Sequence, residues 1–386
     1  MKSIVVVHVV SDMVVGGISS VLLDLLKNNY SSNFKYEIVN LSGKFDQEII
    51  QRFESMNINV HNLYYKFENG YSLFDQFKKA FCISNYKRTN KSIIYFLRDL
   101  NPMILHFHTL PRELVLGKFV AQLIHCKLIY TDHLARIKFH EIKKISKYLI
   151  SIPFRKFYSG YYVIAVGPAV TKYIENLHIK AVLVGLVTIP NKIENSNFRI
   201  NYIEKREYKV VYVARISAVK GHFDLLSAWA LLPMLNLHLY IVGPDELNGS
   251  LQLKLKNTKM LNKVSFTGAL NNVAEFLKDM DIGVFPSHKE GLPIALLEKM
   301  QIGIPCIVSD IEELTSIVND GLDGLVFKKG DVNDLANKIE KLAGDIKLRA
   351  KLGANAAKLI EENFVSKLGG IDKEYEAFYQ QILYSK

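Results

Sequence analysis

Cysteine is scarce in this chain: three in 386 residues, Cys82, Cys126 and Cys306, far apart and odd in number. Neither a disulfide framework nor a metal-ligand spacing can be built from them, which points to a reducing compartment. Cys306 lies in an apolar run and reads as a buried, inert thiol. Long apolar runs are also missing. No stretch of about 18 apolar residues occurs, so no membrane-spanning helix is expected. The opening "MKSIVVVHVVSDM" is short, broken by His8 and followed by no small-residue cleavage site. It reads as a buried first strand rather than a signal peptide. Low-complexity tracts and short repeats are absent too. What remains is globular, with 49% hydrophobic and 23% charged residues, and too long for one comfortable core, so two domains are expected.

Acidic residues are few in one half only. Residues 1–195 hold 25 Lys and Arg against 14 Asp and Glu, whereas residues 196–386 hold 24 of each, so the net +11 belongs to the first half. Within it, "HLARIKFHEIKKISKYLISIPFRKF" (133–157) sets Arg136, Lys138, Lys143, Lys144, Lys147, Arg155 and Lys156 against Glu141 alone. Interleaved Ile, Leu, Phe and Tyr make this stretch a basic amphipathic surface, although a solvated helix face has the same composition. An excess confined to one domain favours an anionic partner for that domain.

Strand-like runs alternate with helical patterns. Ile4 to Val10 is continuously apolar. Gly16-Gly17 follows, then Ile18, Val21, Leu22, Leu25 and Leu26 at helical spacing. "KYEIVNL", "MILHFHT", "KLIYTDH" and "YYVIAVG" continue a βαβ rhythm, which implies a parallel sheet. "PNKIENSNFRINYIEKREY" (190–208) is polar, lacks periodicity and reads as a linker. The rhythm then restarts with "KVVYVAR", a helix from about His222 to Leu232, "LHLYIVG", "KVSFTG", a helix near Asn272 to Lys278, "DIGVFPS", a helix after Pro293, "PCIVSD" and "GLVF". The expected architecture is two doubly wound α/β domains in tandem, residues 1–190 and 191–365. A last helix within 366–386 is expected either to stand alone or to pack back on the first domain.

In open α/β sheets ligands bind beyond the carboxyl ends of the strands. That rule selects Arg215, Gly243, Gly268 and "SHKEGLP". Arg215 and Lys220 share one strand-to-helix loop, "ARISAVKG". Arg can fork onto phosphate oxygens, Lys supplies a point charge, and the following helix start favours anions. Two loop cations by themselves are ordinarily just solvated. In "SHKEGLPIALLEKMQIGIPCIVSD" (287–310), Pro293 suits a helix start, so the amides of Gly291 and Leu292 present an anion or hydroxyl site. Glu290 precedes that helix. Glu298 lies about five residues inside it, about 7 Å along the axis. The two carboxylates are therefore separate acceptors rather than an acid pair sharing a proton.

These spacings together resemble the signature of family-four retaining glycosyltransferases of the two-domain GT-B fold. The family's motif, two glutamates separated by seven residues with Glu-Gly-Xaa-Pro at the first, stands here as Glu290, Gly291, Leu292, Pro293 and Glu298. Gly303, Pro305, Asp310 and the Asp323-Gly324 pair also match, "ARISAVKG" resembles the family's basic loop, and Gly16-Gly17 resembles its N-terminal glycine loop. The resemblance covers most of the second domain and, more loosely, the first. It implies two Rossmann-like domains facing across a cleft, with a C-terminal helix returning to the first. Arg215 and Lys220 would hold the donor diphosphate, Glu298 the ribose, and Glu290 the transferred sugar. Gly16 and Gly17 would approach the donor phosphate. His133, in "YTDH", falls where the family often carries an active-site histidine; His106 and His108 in "HFH" are further candidates. The chain departs from the family at Asn191-Lys192, where Asn-Gly is common. "DMD" (279–281) imitates a metal motif, but it opens a strand and reads as structural, so no metal or other cofactor is expected.

The reading is a cytoplasmic retaining glycosyltransferase that takes a nucleotide sugar, UDP-linked before GDP-linked, to a glycan or lipid-linked acceptor of surface-polysaccharide synthesis. Residues 133–157 would rest on anionic lipid at the inner membrane face. Three competing readings fit less of the sequence. A GT-B sugar-nucleotide epimerase would need no acceptor. A basic nucleic-acid binder would leave the Glu290–Glu298 block unexplained. A non-catalytic glycan-binding relative would have no use for an intact motif. Gly16-Gly17 lacks the dinucleotide G-x-G-x-x-G spacing.

Overall fold

The computed structural model describes residues 3–14, 17–27, 33–64, 90–109, 113–133, 155–166, 168–177, 179, 181–184, 207–232, 236–256, 258, 261–270, 272–290, 293–364 and 371–384. The chain divides into two compact units, Met1–Pro190 with Ser366–Lys386, and Asn191–Val365. Gly16, Cys82, residues 134–154, the 190–206 part of the polar break, Gly291 and Leu292 lie outside the described residues.

In the first unit the elements run β1 (Ile4–Val10), α1 (Gly17–Leu26), β2 (Phe34–Asn40), α2 (Gln47–Ser55), β3 (Asn59–Asn62), α3 (Lys91–Asp99), β4 (Ile104–His108), α4 (Leu114–Ala121), β5 (Lys127–Asp132), β6 (Tyr162–Ala165), α5 (Pro168–Asn176) and β7 (Ala181–Val184). The strands form one parallel sheet in the order β3-β2-β1-β4-β5-β6-β7. The uninterrupted valines of β1 follow from burial on both faces: Val6, Val7, Val9 and Val10 are fully buried, as befits a parallel sheet with both faces covered. Chain direction across the sheet switches between β1 and β4, and there the register sets His8 beside His106 and Val10 beside His108. The helix Ile371–Tyr384 belongs to this unit and packs on α1. Its buried residues Ile371, Tyr375, Phe378, Tyr379 and Ile382 make one apolar stripe at helical spacing. Burying each such side chain stabilises by about 1.5–3 kcal/mol.

The second unit runs β8 (Tyr208–Val213), α6 (His222–Trp229), β9 (Leu237–Val242), α7 (Ser250–Leu255), β10 (Val264–Gly268), α8 (Val273–Leu277), β11 (Ile282–Phe285), α9 (Ile294–Gln301), β12 (Cys306–Ser309), α10 (Glu312–Thr315), β13 (Leu325–Phe327), α11 (Val332–Gly344) and α12 (Ile346–Asn363). Its sheet is parallel in the order β10-β9-β8-β11-β12-β13 and reverses direction between β8 and β11. Asn272, Asp331 and Asp345 cap α8, α11 and α12 by accepting backbone amides, each cap contributing about 1 kcal/mol. In the Asp-Met-Asp stretch at 279–281, Asp281 does structural work: it is buried and its Oδ2 accepts the Lys209 amide at 2.8 Å, fastening the start of β8. Among the described residues no helix is long and apolar enough to cross a membrane.

Candidate functional site

Two glycines let the loops beyond the second sheet press together. Gly221 has φ +67°, and a Cβ there would lie 1.9 Å from the Pro286 carbonyl oxygen. Gly243 has φ +142°, and its Cβ would lie 2.1 Å from the Ala214 carbonyl oxygen. Only glycine fits either place. The loop after β8 therefore rests on the loop after β11 and against the end of β9. The His288 amide adds a bond to the Val219 carbonyl at 2.9 Å. This approach brings Lys220, on a single 3-10 turn (Ala218–Lys220), to the glutamate motif.

Glu290 is 7% exposed. Lys220 Nζ donates to its Oε2 at 2.6 Å, and Ser287 Oγ donates to its Oε1 at 2.6 Å. The Tyr212 hydroxyl lies 2.9 Å from Ser287 Oγ and 2.8 Å from the Lys220 carbonyl. Burial, and then the Glu290 charge, hold the Tyr212 phenol well above its ordinary range, so it stays protonated as a donor. Both Glu290 oxygens are thus engaged by short, charge-assisted or hydroxyl bonds. Arg215 is not part of this cluster. It is exposed and paired to Glu246 beyond β9, Nη1 to Oε1 at 2.6 Å. His288 Nε2 lies 2.6 Å from Asp224 Oδ2.

Pro293 is the residue before the first helical position rather than part of the first turn: it caps α9 at φ −81°, ψ 75°. Glu298, half-buried, is the fifth residue of α9. Its neighbour Lys299 is fully buried, with Nζ donating to the Ala295 carbonyl at 3.0 Å and lying 4.5 Å from the Phe285 ring centre. Burial pushes its ammonium down to about 8. Cys306 is buried, its thiol pushed up to about 12 by the same cause.

In the first unit, Gly17 opens α1. His133 follows the last residue of β5 and is half-buried. Its Nε2 lies 3.2 Å from His108 Nδ1, and His108 Nε2 lies 3.0 Å from His8 Nδ1. Three rings thus form one chain running from a fully buried position in β1 to the carboxyl end of β5. His106 belongs to a second chain: Nδ1 to the Tyr379 hydroxyl and Nε2 to Thr131 Oγ1, both at 2.7 Å. Possible ligand atoms of His8, His106 and His108 lie within 4.8 Å of one another. Both His106 nitrogens are already committed, so the trio does not turn three lone pairs toward one ion. Burial holds His8 at about 3 and His106 and His108 well below the ordinary imidazole range, so all three rings are neutral. Asp132, beside His133, is buried and accepts the Tyr158 hydroxyl.

The sequence singles out Lys220, Glu290 and His133 but not their supports: Ser287 and Tyr212 behind Glu290, Glu246 on Arg215, and His8 and Tyr379 in the histidine chains. Ser287 stands in the quoted motif, three residues before Glu290, and was open to notice. In the sequence His8 shows only as an interruption of an apolar run.

Residues 194–359 match the family described as "Glycosyl transferases group 1". The chain is 29% identical over 206 residues, 50% of its length and 53% of that protein's, to the capsular polysaccharide biosynthesis glycosyltransferase CapM of Staphylococcus aureus. It is 32% identical over 161 residues, 41% of its length and 42% of that protein's, to N,N'-diacetylbacillosaminyl-diphospho-undecaprenol alpha-1,3-N-acetylgalactosaminyltransferase of Campylobacter jejuni. The matched stretches thus span about half the length of these curated relatives. The crystal structure of Anabaena Alr3699/HepE in complex with UDP and glucose has a TM-score of 0.71 at 16% identity, covering 98% of this chain and 100% of that one. The fold is GT-B, two Rossmann-like α/β units each built on a parallel sheet. The match to glycosyl transferases of group 1 lies within the second unit, and over about half its length the chain is similar to bacterial surface-polysaccharide enzymes.

Proposed function

We propose that this chain transfers a sugar from a nucleoside-diphosphate sugar to a glycan or lipid-linked acceptor, with retention at the anomeric carbon. The observation that carries the reading is the Lys220–Glu290 pair, a buried carboxylate holding a cation in the loop where a donor diphosphate would sit. In this reading Lys220 and Arg215 take the diphosphate. Glu290 meets the transferred sugar, with Ser287 and Tyr212 fixing its orientation, and Glu298 accepts from the ribose. Gly243 gives the backbone room beside Arg215, and a contact with the donor phosphate is the role the family resemblance would give Gly16 and Gly17. The motif also gives a share of the anion site to the amides of Gly291 and Leu292, which lie outside the described residues. When the bond from the anomeric carbon to the diphosphate oxygen breaks, its electron pair goes to the diphosphate. Neutralising that charge with fixed cations and a helix start is the main catalytic contribution.

A UDP-linked donor is put before a GDP-linked one because Alr3699/HepE was crystallised with UDP, and a lipid-linked acceptor is included because the Campylobacter relative's name contains diphospho-undecaprenol. Surface-polysaccharide synthesis at the cytoplasmic membrane face is the matching setting. There residues 133–157 would touch anionic lipid, to be read as salt-sensitive co-sedimentation with anionic vesicles. No metal or other cofactor is required for these roles. The direct test is calorimetric titration with UDP-, GDP- and ADP-sugars, followed by product analysis with a lipid-linked acceptor. Absence of binding to all three donors would overturn the reading.

A further inference from the structure

The histidine chain of the first unit has a direction. His8 and His108 are fully buried and neutral, so each ring carries one proton. With a neutral His133 as the premise, the hydrogen bonds linking His8 to His108 and His108 to His133 allow only two proton arrangements. In one, His133 Nε2–H donates to His108 Nδ1, His108 Nε2–H donates to His8 Nδ1, and the remaining His8 proton sits on Nε2. In the other, His8 Nδ1–H donates to His108 Nε2, and His108 Nδ1–H donates to His133 Nε2. His8 Nε2 decides between them, because it is buried with no hydrogen-bond partner among the described residues. The first arrangement leaves an orphaned N–H there; the second leaves only an unmatched lone pair. Orphaned buried N–H groups are rare in folded proteins, and unmatched acceptors less so. Around His8 stand the rings of Tyr36, His106 and Tyr379, with centroids 5.9, 5.1 and 6.5 Å away.

We propose that His108, oriented by His8, fixes His133 as the Nδ1-protonated tautomer, so that His133 serves a substrate oxygen as a hydrogen-bond donor and not as a general base. His8 and His108 are positioning residues, and they act only through His133. The significance for transfer rests on the proposed placement of His133 in the active site; the tautomer itself does not.

The test uses the full-length protein labelled with 15N-histidine, with the His133 signals assigned by their loss in His133→Gln. Long-range proton–nitrogen correlation then reads which ring nitrogen carries the proton. His108→Asn keeps an amide donor near the Nδ1 position, whereas His108→Gln keeps one only near Nε2. The expected result is Nδ1–H at His133 in the wild type and in His108→Asn, and its loss in His108→Gln. Transfer kcat in His108→Gln should fall at least about tenfold, since a wrong tautomer removes the catalytic hydrogen bond, and His108→Asn should restore most of it. Nε2–H at His133 in the wild type, a signal decided without any variant, overturns the proposal. So does an unchanged His133 tautomer in folded His108→Gln. Wild-type transfer by His133→Ala instead removes His133 from the active site and leaves the tautomer result standing.

Discussion

Arg215 Nη1 lies 2.6 Å from Glu246 Oε1, so the loop after β8 is tied through its exposed cation to a carboxylate of the loop after β9. In the proposed reading a donor diphosphate would replace that carboxylate. Arg215→Ala should therefore weaken donor binding about 10- to 100-fold, equivalent to about 1.5–3 kcal/mol for a bond to a charged group. Glu246→Gln, which frees the guanidinium, should tighten it a few-fold. Calorimetric titration measures both. Neither change should shift the melting temperature appreciably, because exposed ion pairs contribute about 0–1 kcal/mol.

Lys220 and Glu290 behave differently because their pair is mostly buried. Lys220→Ala leaves Glu290 with Ser287 as its remaining side-chain donor and should cost about 1–3 kcal/mol of stability as well as donor affinity. Glu290→Gln keeps an acceptor for Ser287 and should stay folded while transfer drops by about two orders of magnitude. Urea denaturation beside initial-rate assays separates the two effects. Near-normal transfer by folded Glu290→Gln would remove Glu290 from the site.

Gly221→Ala should be damaging although alanine is the smallest possible addition. The left-handed backbone alone costs about 1–3 kcal/mol, and the Cβ would also overlap the Pro286 carbonyl at 1.9 Å. Donor binding should fall with stability, because Lys220 loses its seat. Gly344→Ala, where a Cβ meets nothing within 4 Å, is the control and should leave both unchanged.

Acid should unfold the first unit through its buried histidines. His8 stands at about 3 in the folded chain against an ordinary 6.5, and His106 and His108 are lowered in the same direction. Below about pH 6.5 the unfolded chain takes up protons that the folded chain refuses. Stability is therefore complete above 6.5 and is lost as pH falls toward 3, about tenfold in the unfolding constant per pH unit for each histidine. Urea midpoints measured from pH 7.5 to 4.5 should fall, and His8→Leu should flatten the slope. An unchanged slope in that variant would contradict neutral burial of His8.

The strands and the glutamate motif were legible because each is local. Unbroken apolar runs mark strands covered on both faces, and Pro293 marks the start of α9. The side-chain partnerships were not legible, because they depend on register and on loop approach. His8 and His106 meet only because β1 and β4 are neighbours with those residues opposite each other. Residue spacing carries no trace of the bond between His8 and His108, 100 positions apart. Lys220 and Glu290, 70 apart, were given separate duties on one ligand, whereas the close packing allowed by Gly221 joins them directly. The helix expected to reach Leu232 stops at Trp229.

The helix Ile371–Tyr384 places Tyr375, Phe378 and Tyr379 inside the first unit after the whole second unit has been traversed. During synthesis the order of completion is thus reversed. The second unit has all its parts once Val365 emerges, while the first must wait with the stripe on α1 and the ring of His106 uncovered. A ribosome-bound chain halted near residue 365 would present a finished second unit and an unfinished first one, making the first unit the natural client of a chaperone.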